Sequence, residues 1–372
     1  RLGDFKEASQ WFEKITQDSK WGRLALYNLG IIAEKSGHEE LAFGYYLRAY
    51  RESVTEKEQL LASLKVKRLR ERLETREDKT WYGVVSLGAG YDDNVGLFET
   101  VPGEVTGKES DGYREVIGSV SRYINGNRDA GMHFGAGLYQ RSYLDLDAFD
   151  YTSYFLRINR EQKVGGWRLL GGVRAEISEI EGEDFLNSLI LGFRGRTGAG
   201  KVHYELGMDY SHVKGDAPYD HLTGYSWSVD LSAIWLAKEG YWRLGLTHEK
   251  NRREDYYLAG EFQSYSPARS TLVLKNTKTL APGMELVTRF SLREGNYDDS
   301  NVYLNTDGTT RIKDRDEVRM AASIRLQYLI SQSAIGTGWF IFAVFNYADN
   351  DAEFDQYSYT NRQLTLGVER LF

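Results

Sequence analysis

From Trp81 to the C-terminus, apolar and polar residues alternate one by one, the period of strands whose successive side chains point to opposite faces. Val202, Tyr204, Leu206, Met208 and Tyr210 alternate with His203, Glu205, Gly207, Asp209 and Ser211. Trp227, Val229, Leu231, Ala233 and Trp235 alternate with Ser228, Asp230 and Ser232. Val318, Met320, Ala322, Ile324 and Leu326 alternate with Arg319, Ser323, Arg325 and Gln327. This pattern predicts about fourteen strands, over 81–92, 113–124, 129–142, 150–163, 166–178, 185–196, 200–213, 223–236, 240–250, 261–276, 283–295, 316–331, 337–348 and 361–372. Before Trp81 the period is helical. Helices followed by a long run of strands imply separate domains, here 1–79 and 80–372.

The links between strands alternate in length. After even-numbered strands they are short, as in NGNRD near 125–129, VGG at 164–166, GAG at 198–200, AKEG at 237–240 and TLAPG at 279–283. After odd-numbered strands they are longer and polar or acidic, as at 94–112, 214–221 and 295–316. Short turns at one end and long loops at the other are the pattern of a bacterial outer-membrane barrel. Alternation alone does not separate this from a soluble sandwich, whose apolar face would form the core. Aromatic residues near strand ends favour the membrane: Trp81, Tyr91, Trp167, Trp227, Trp235, Trp242 and Trp339 stand where barrels carry aromatic girdles. The last stretch, NRQLTLGVERLF, puts Leu364, Leu366, Val368 and Phe372 on one face and Gln363, Thr365, Gly367 and Glu369 on the other. It resembles the closing strand of outer-membrane β-barrels, and the resemblance implies a signal read by the barrel-assembly machinery. Arg370 interrupts the apolar face where a long cation can snorkel to headgroups. An even strand count returns the chain to its starting side and places the helices in the periplasm.

In the first 79 residues, Gly3, Ala8 and Phe12 recur as Gly37, Ala42 and Tyr46, each 34 residues on. That is the period of tetratricopeptide repeats. Leu29, Gly30, Gly37, Ala42, Tyr46 and Ala49 fall where that family places its signature residues. Small residues at 30 and 42 let paired helices approach, and the aromatic at 46 fills the gap beyond. Ala33 and Val54 depart from the pattern, standing where an aromatic and a proline are common. A further helix is predicted from Thr55, N-capped by Thr55 with Glu58 in a capping box. The fold expected is therefore α+β and multidomain: short helical repeats of tetratricopeptide type, then an antiparallel transmembrane β-barrel.

Composition narrows the class. The 372 residues contain no Cys, which excludes a disulfide framework and a Cys-ligated metal. A formal net charge of −7 gives no support to nucleic-acid binding. Mean hydropathy is −0.52, and no apolar run approaches the ~20 residues of a spanning helix. Yet 26 Tyr, 8 Trp, 16 Phe and 38 Gly beside only 4 Pro suit strands that alternate between lipid and lumen. Residue 1 falls inside a repeat, so further sequence upstream is expected.

The whole architecture resembles two groups. One is the surface lipoprotein assembly modifiers; the other is the exopolysaccharide exporters. LGAGYDDNVG at 87–96, with Asp93, Asn94 and Val95, is similar to the motif where modifier barrels begin. Ser358, Tyr359, Arg362 and Phe372 match that family's ending, whereas Gly96 departs from it. The resemblance implies an outer-membrane protein that exports or assembles protein clients at the cell surface. Its partners would be outer-membrane lipid, the barrel-assembly machinery, and a periplasmic client held by the repeats. Polysaccharide export, and a non-conducting scaffold that recruits an envelope-spanning machine, remain open alternatives.

Strand parity sends Arg157, Arg168, Arg174, Arg194, Arg243, Arg289, Arg319 and Arg325 into the expected lumen, with Glu176, Glu205, Asp209, Asp230, Glu285 and Glu369. Such charges either interlock as salt bridges that fill the barrel or line a polar conduit. Lumenal aromatics are expected to be sparse: Tyr82, Tyr139, Phe155 and Tyr241. Oxygen-rich clusters at Asp92, Asp93 and Asn94, at Asp298 and Asp299, and at Asp349, Asn350 and Asp351 read as solvated loops or, alternatively, as calcium ligands. No catalytic constellation or cofactor motif is legible; His203, Asp209 and Ser211 share one lumenal face but form no recognisable triad.

Overall fold

A sheet with one apolar face exposed to lipid must leave no unpaired edge, and this chain meets that demand by closure. The computed structural model describes residues 5–16, 18, 21–53, 55–76, 81–97, 109–127, 129–258, 261–304, 309–332, 338–353 and 357–372. The strands in chain order are β1 (Trp81–Asp92), β2 (Asp111–Gly126), β3 (Ala130–Tyr143), β4 (Tyr151–Val164), β5 (Trp167–Ile180), β6 (Glu183–Ala199), β7 (Val202–Gly215), β8 (Gly224–Ala237), β9 (Gly240–Arg253), β10 (Tyr256–Leu258), β11 (Glu261–Gln263), β12 (Pro267–Ala281), β13 (Met284–Tyr297), β14 (Asn301–Leu304), β15 (Thr310–Lys313), β16 (Asp316–Gln332), β17 (Gly338–Ala352) and β18 (Tyr359–Leu371). Fourteen of them form a closed barrel, in which β9 neighbours β12, β13 neighbours β16 and β18 closes onto β1. These strands run 12–17 residues, longer than the ~9–11 needed to cross a bilayer, so they project beyond it.

The four short strands were not expected. They form a separate sheet, β10-β11-β14-β15, built from the links after β9 and β13. Two further expectations are corrected. The tenth predicted strand, 261–276, lies at Pro267–Ala281; Pro267 lacks an N–H and stands at the strand's first residue, while 261–263 pair with β10 instead. The link between β5 and β6 is only Glu181 and Gly182, with φ of 56° and 78°, a tight hairpin at the end otherwise occupied by longer links. Of the long first loop, 98–108 lie outside the described residues.

The lipid face follows parity. Leu156, Leu191, Met208, Leu231, Leu246, Leu272, Phe290, Ile324 and Leu366 are exposed on it. At the short-turn end Trp81, Trp167, Trp235, Trp242 and Trp339 ring the wall, and Arg122 and Arg370 lie over Trp81 and Trp339 at 5.2 and 5.3 Å. Toward the long-loop end stand Tyr91, Tyr154, Tyr210, Tyr225 and Trp227.

The helical unit contains α1 (Phe5–Ile15), α2 (Gly22–Lys35), α3 (Glu39–Glu52) and α4 (Glu56–Arg76). The capping box at α4 is present: Thr55 N donates to Glu58 at 3.4 Å and Glu58 N to Thr55 Oγ1 at 3.3 Å. Leu29, Ala42, Tyr46 and Ala49 are buried, and Ala8 and Phe12 are half-buried on α1. Gly37 is exposed between α2 and α3; Gly3 and Val54 lie outside the described residues. The Tyr46 ring sits against Gly30, where an added Cβ would meet it at 2.6 Å. Its hydroxyl donates to Glu34 at 2.9 Å, and Lys65 of α4 reaches the same carboxylate at 2.8 Å. Burial first, then the Glu34 hydrogen bond and charge, push the Tyr46 phenol well above its ordinary range.

Gly30→Leu should therefore destabilise the helical unit by about 1–3 kcal/mol or more by overpacking. Gly44→Leu should be close to neutral, since nothing lies within 4 Å of a Cβ there. Thermal circular dichroism at 222 nm of the full chain reads the difference, while heat-modifiability of the barrel should be equal in both. Equal melting of the two variants would show that the Gly30–Tyr46 contact is not the packing point.

Candidate functional site: the charged lumen

Inward-facing positions carry most of the barrel's charge, and the register of neighbouring strands decides which charges meet. On β6 and β7, Gly192 is opposite Asp209 and Arg194 opposite Gly207. The absence of a Cβ at Gly207 leaves room for the Arg194 guanidinium, which a Cβ would approach to 2.8 Å at Nε. Arg194 therefore lies flat and donates to both Asp209 oxygens, at 3.0 and 2.5 Å, with Asp230 at 3.5 Å. Glu205 accepts Arg196 from β6, Arg243 from β9 at 2.7 Å and the Ser232 hydroxyl at 3.3 Å. A third chain links Glu285 to Gln327 at 2.8 Å, Gln327 to Arg325 at 2.9 Å, and Arg325 to Glu369 at 3.1 Å.

The remaining expected lumenal residues are placed as follows. Arg174 pairs with Glu176 at 2.5 Å on its own strand. Arg157 donates to Ser121 at 2.9 Å, and Arg168 pairs with Asp129 at 3.2 Å at the short-turn end. Arg319 lies beside the Tyr359 ring, 5.9 Å from its centroid. Arg289 meets no carboxylate among the described residues. His203 stays apart from the Arg194–Asp209 pair, near the β6–β7 turn, where Gly198 is its cross-strand partner. Sequence reading missed Glu115, Arg141, Glu161, Arg196 and Lys275, all at inward parity; parity alone would have found them.

A cavity of about 1100 Å³ occupies the lumen. Its charged lining is Arg168, Arg194, Arg196, Arg243, Lys275, Arg289 and Arg325 against Glu161, Glu205 and Asp230, so cations dominate. The opposite part of the wall is more aromatic than expected. Tyr113, Tyr123 and Tyr143 on β2 and β3, and Phe342 on β17, face inward beside Tyr82, Tyr139 and Phe155. The expectation of sparse lumenal aromatics is corrected on this ground.

The aspartate-asparagine motif has a different role from metal holding in this geometry. Asn361 Nδ2 donates to Asp92 at 2.6 Å and to the Asn94 carbonyl at 3.0 Å, and Gln363 donates to the other Asp92 oxygen at 2.7 Å. Arg362 N donates to Asp93 Oδ1 at 2.6 Å, while Asp93 N donates to the Arg362 carbonyl at 3.0 Å. Asn94 Nδ2 donates to the Thr360 carbonyl at 2.9 Å. The motif is thus a clasp across the β1–β18 seam. Of the other oxygen clusters, Asp298 pairs with Lys250 at 3.3 Å and Asn350 donates to the Tyr357 carbonyl at 2.7 Å. Beside the clasp, the buried Asp111 carboxylate accepts the backbone N–H groups of Gly112 at 2.6 Å, Asp145 at 2.8 Å, and Leu144 and Leu146 at 3.0 Å, which ties the start of β2 to the end of β3.

Closure, an even strand number, an apolar exterior, two aromatic belts and a charged interior now stand together. The chain folds as an outer-membrane β-barrel. No family model and no curated protein matches the sequence. Solved structures similar to it are barrels of the same kind at very low identity. OmpT, an outer membrane protein of Vibrio cholerae, is 7% identical with a TM-score of 0.44, over 78% of this chain and 96% of that one. An anion-selective porin from Comamonas acidovorans is 10% identical with a TM-score of 0.43, over 79% and 99%. OccAB3 of Acinetobacter baumannii is 12% identical with a TM-score of 0.40, over 79% and 99%. Likeness at this level carries no statement about function.

Asp92→Ala should leave the Gln363 amide without its acceptor and the Asn361 amide with the Asn94 carbonyl alone, at about 1–3 kcal/mol for a stranded buried donor. Heat-modifiability in outer-membrane extracts should show the barrel opening at a clearly lower temperature than the wild type. An unchanged opening temperature would mean that the clasp does not hold the seam.

Proposed function

We propose that the protein acts in export to, or assembly at, the bacterial cell surface. The helical unit, of tetratricopeptide type, would capture a periplasmic client, and the barrel would form the membrane-embedded passage or guide. The observation that carries this reading is the Gly30–Tyr46 helix packing, together with the recurrence of Gly3, Ala8 and Phe12 as Gly37, Ala42 and Tyr46 at a 34-residue step, within the same chain as a closed barrel. Two further observations support it. β1 begins at the end of the barrel that carries the short turns, the periplasmic end in outer-membrane barrels. The helices also leave Trp11, Trp21, Leu24, Leu60 and Leu64 exposed, an apolar supply suited to holding a client. The closing strand, with Leu364, Leu366 and Val368 exposed to lipid and Phe372 at the same parity, is proposed as the signal for barrel assembly.

A protein client is the leading substrate class. A folded 100-residue domain has a radius of gyration of about 13 Å, far beyond a 1100 Å³ cavity. Such a client would cross as an extended chain or be guided along the barrel rather than pass through it folded. Polysaccharide export is favoured as a second reading by Tyr82 and Tyr123 in the cavity wall, because sugar faces stack on aromatic rings.

Deleting residues 5–76 from the chain tests the assignment. Surface biotinylation of intact cells should then lose lipoproteins from the surface while the barrel still inserts and stays heat-modifiable. Loss of extracellular polysaccharide instead would select the second reading. Normal amounts of both at the surface would remove the helical unit as the recognition module.

A further inference from the structure

A row of cations crosses the lumenal wall. Arg243 on β9 is in register with Lys275 on β12, and Lys275 with Arg289 on β13. Arg289 faces Ser323 on β16, so Arg325 lies one diagonal step away. All four line the 1100 Å³ cavity. Side chains directly opposite on antiparallel strands have Cβ atoms about 4.5–5.5 Å apart, and like charges in that relation destabilise the pairing.

At Arg194 and Arg196 the fold offsets such a cost with a carboxylate, Asp209 for the first and Glu205 for the second. Within the row only the two outer members are offset, Arg243 by Glu205 and Arg325 by Glu369. Lys275 lies 5.9 Å from the Tyr241 ring centroid, and neither it nor Arg289 has a carboxylate partner among the described residues. A surplus of positive charge is therefore focused where low-dielectric walls raise the local concentration of anions.

We propose that Arg243, Lys275, Arg289 and Arg325 form a lumenal binding site for small solutes carrying a carboxylate or phosphate group. Arg289 supplies a planar fork matched to two oxygens of such a group, and Lys275 supplies a mobile point charge beside it. A second rung lies further toward the long-loop end. Arg293 on β13 is directly opposite Arg319 on β16. It stands four residues from Arg289, about 14 Å along the strand. An anion leaving the first rung meets the second. Two weak sites in series let an ion enter and leave, as conduction requires. This site stands independently of the client reading, since it concerns the lumen alone.

The test uses the full chain, folded in detergent and reconstituted in planar bilayers. Titration calorimetry with inorganic phosphate and, separately, malonate reads the site even where no current flows. Lys275→Gln with Arg289→Gln should weaken binding by about tenfold or more for each anion that binds. Neither replaced cation has a carboxylate partner, so the double variant strands no charge and should keep wild-type heat-modifiability; Lys275→Met alone is the fallback variant. Binding of malonate only, or of phosphate only, assigns the group recognised. Under a potassium chloride gradient, a conducting wild type should be anion-selective and Lys275→Glu with Arg289→Glu should shift toward cations. Absence of binding for both anions, or equal binding in wild type and variant, overturns the proposal. So does a wild type that conducts with cation selectivity.

Discussion

Everything in this barrel depends on closing the β1–β18 seam. In hydrocarbon each unpaired backbone N–H or C=O costs several kcal/mol, so an open sheet cannot persist there. Thirteen contacts between successive barrel strands are made locally, but the fourteenth joins residues from opposite ends of the domain. That contact needs more than a ladder. Asp92 and Asn94 are almost fully buried at its outer end, and they hold Asn361, Gln363 and the Thr360 carbonyl from β18. Deeper along the seam the Tyr113 hydroxyl meets Thr365 Oγ1 at 2.5 Å. The polar residues that the sequence suggests are solvated loop or, alternatively, calcium ligands are thus used to close the sheet.

Once closed, the wall fixes what each side chain can do. Alternate residues face lipid and must be apolar, and the two belts of aromatic residues mark where that demand stops. Alternate residues face inward and are free to carry charge. Which charges pair then follows from strand stagger, and stagger leaves some cations paired and others in a row with their own kind. The lumen is accordingly neither uniformly plugged nor uniformly open. Salt bridges tie β6 through β9 across Glu205 and Asp209, while the wall from β9 to β16 keeps a cationic surplus.

Much of this was legible in the sequence, for a physical reason. A lipid-facing strand must alternate over its whole length, so Val202 to Ser211 or Val318 to Gln327 declare both a strand and its faces. The turns at 164–167 and 199–202 declare themselves through glycine. Legibility fails where no such demand acts. β10, β11, β14 and β15 are three or four residues long and lie outside the barrel wall, too short to show a period. The Glu181-Gly182 hairpin was hidden because a non-glycine residue occupies one left-handed position. In the lumen, parity located Arg289 but could not foresee that it lacks a carboxylate, because pairing depends on the stagger between β13 and its neighbours. The helical unit was legible for the opposite reason: the Tyr46–Gly30 contact is local, within one helix pair.

The account rests on β18 closing onto β1, and the chain's lack of cysteine makes that directly measurable. A Cβ at Gly88 would lie 3.0 Å from Thr365 Cγ2, across the seam. The double variant Gly88→Cys with Thr365→Cys should form a disulfide in outer membranes, and the barrel so locked should resist opening on heating in detergent until a reductant is added. Gly88→Cys and Thr365→Cys thiols that both remain free under mild oxidant, in protein that has inserted in the outer membrane, would contradict the closed fourteen-stranded barrel.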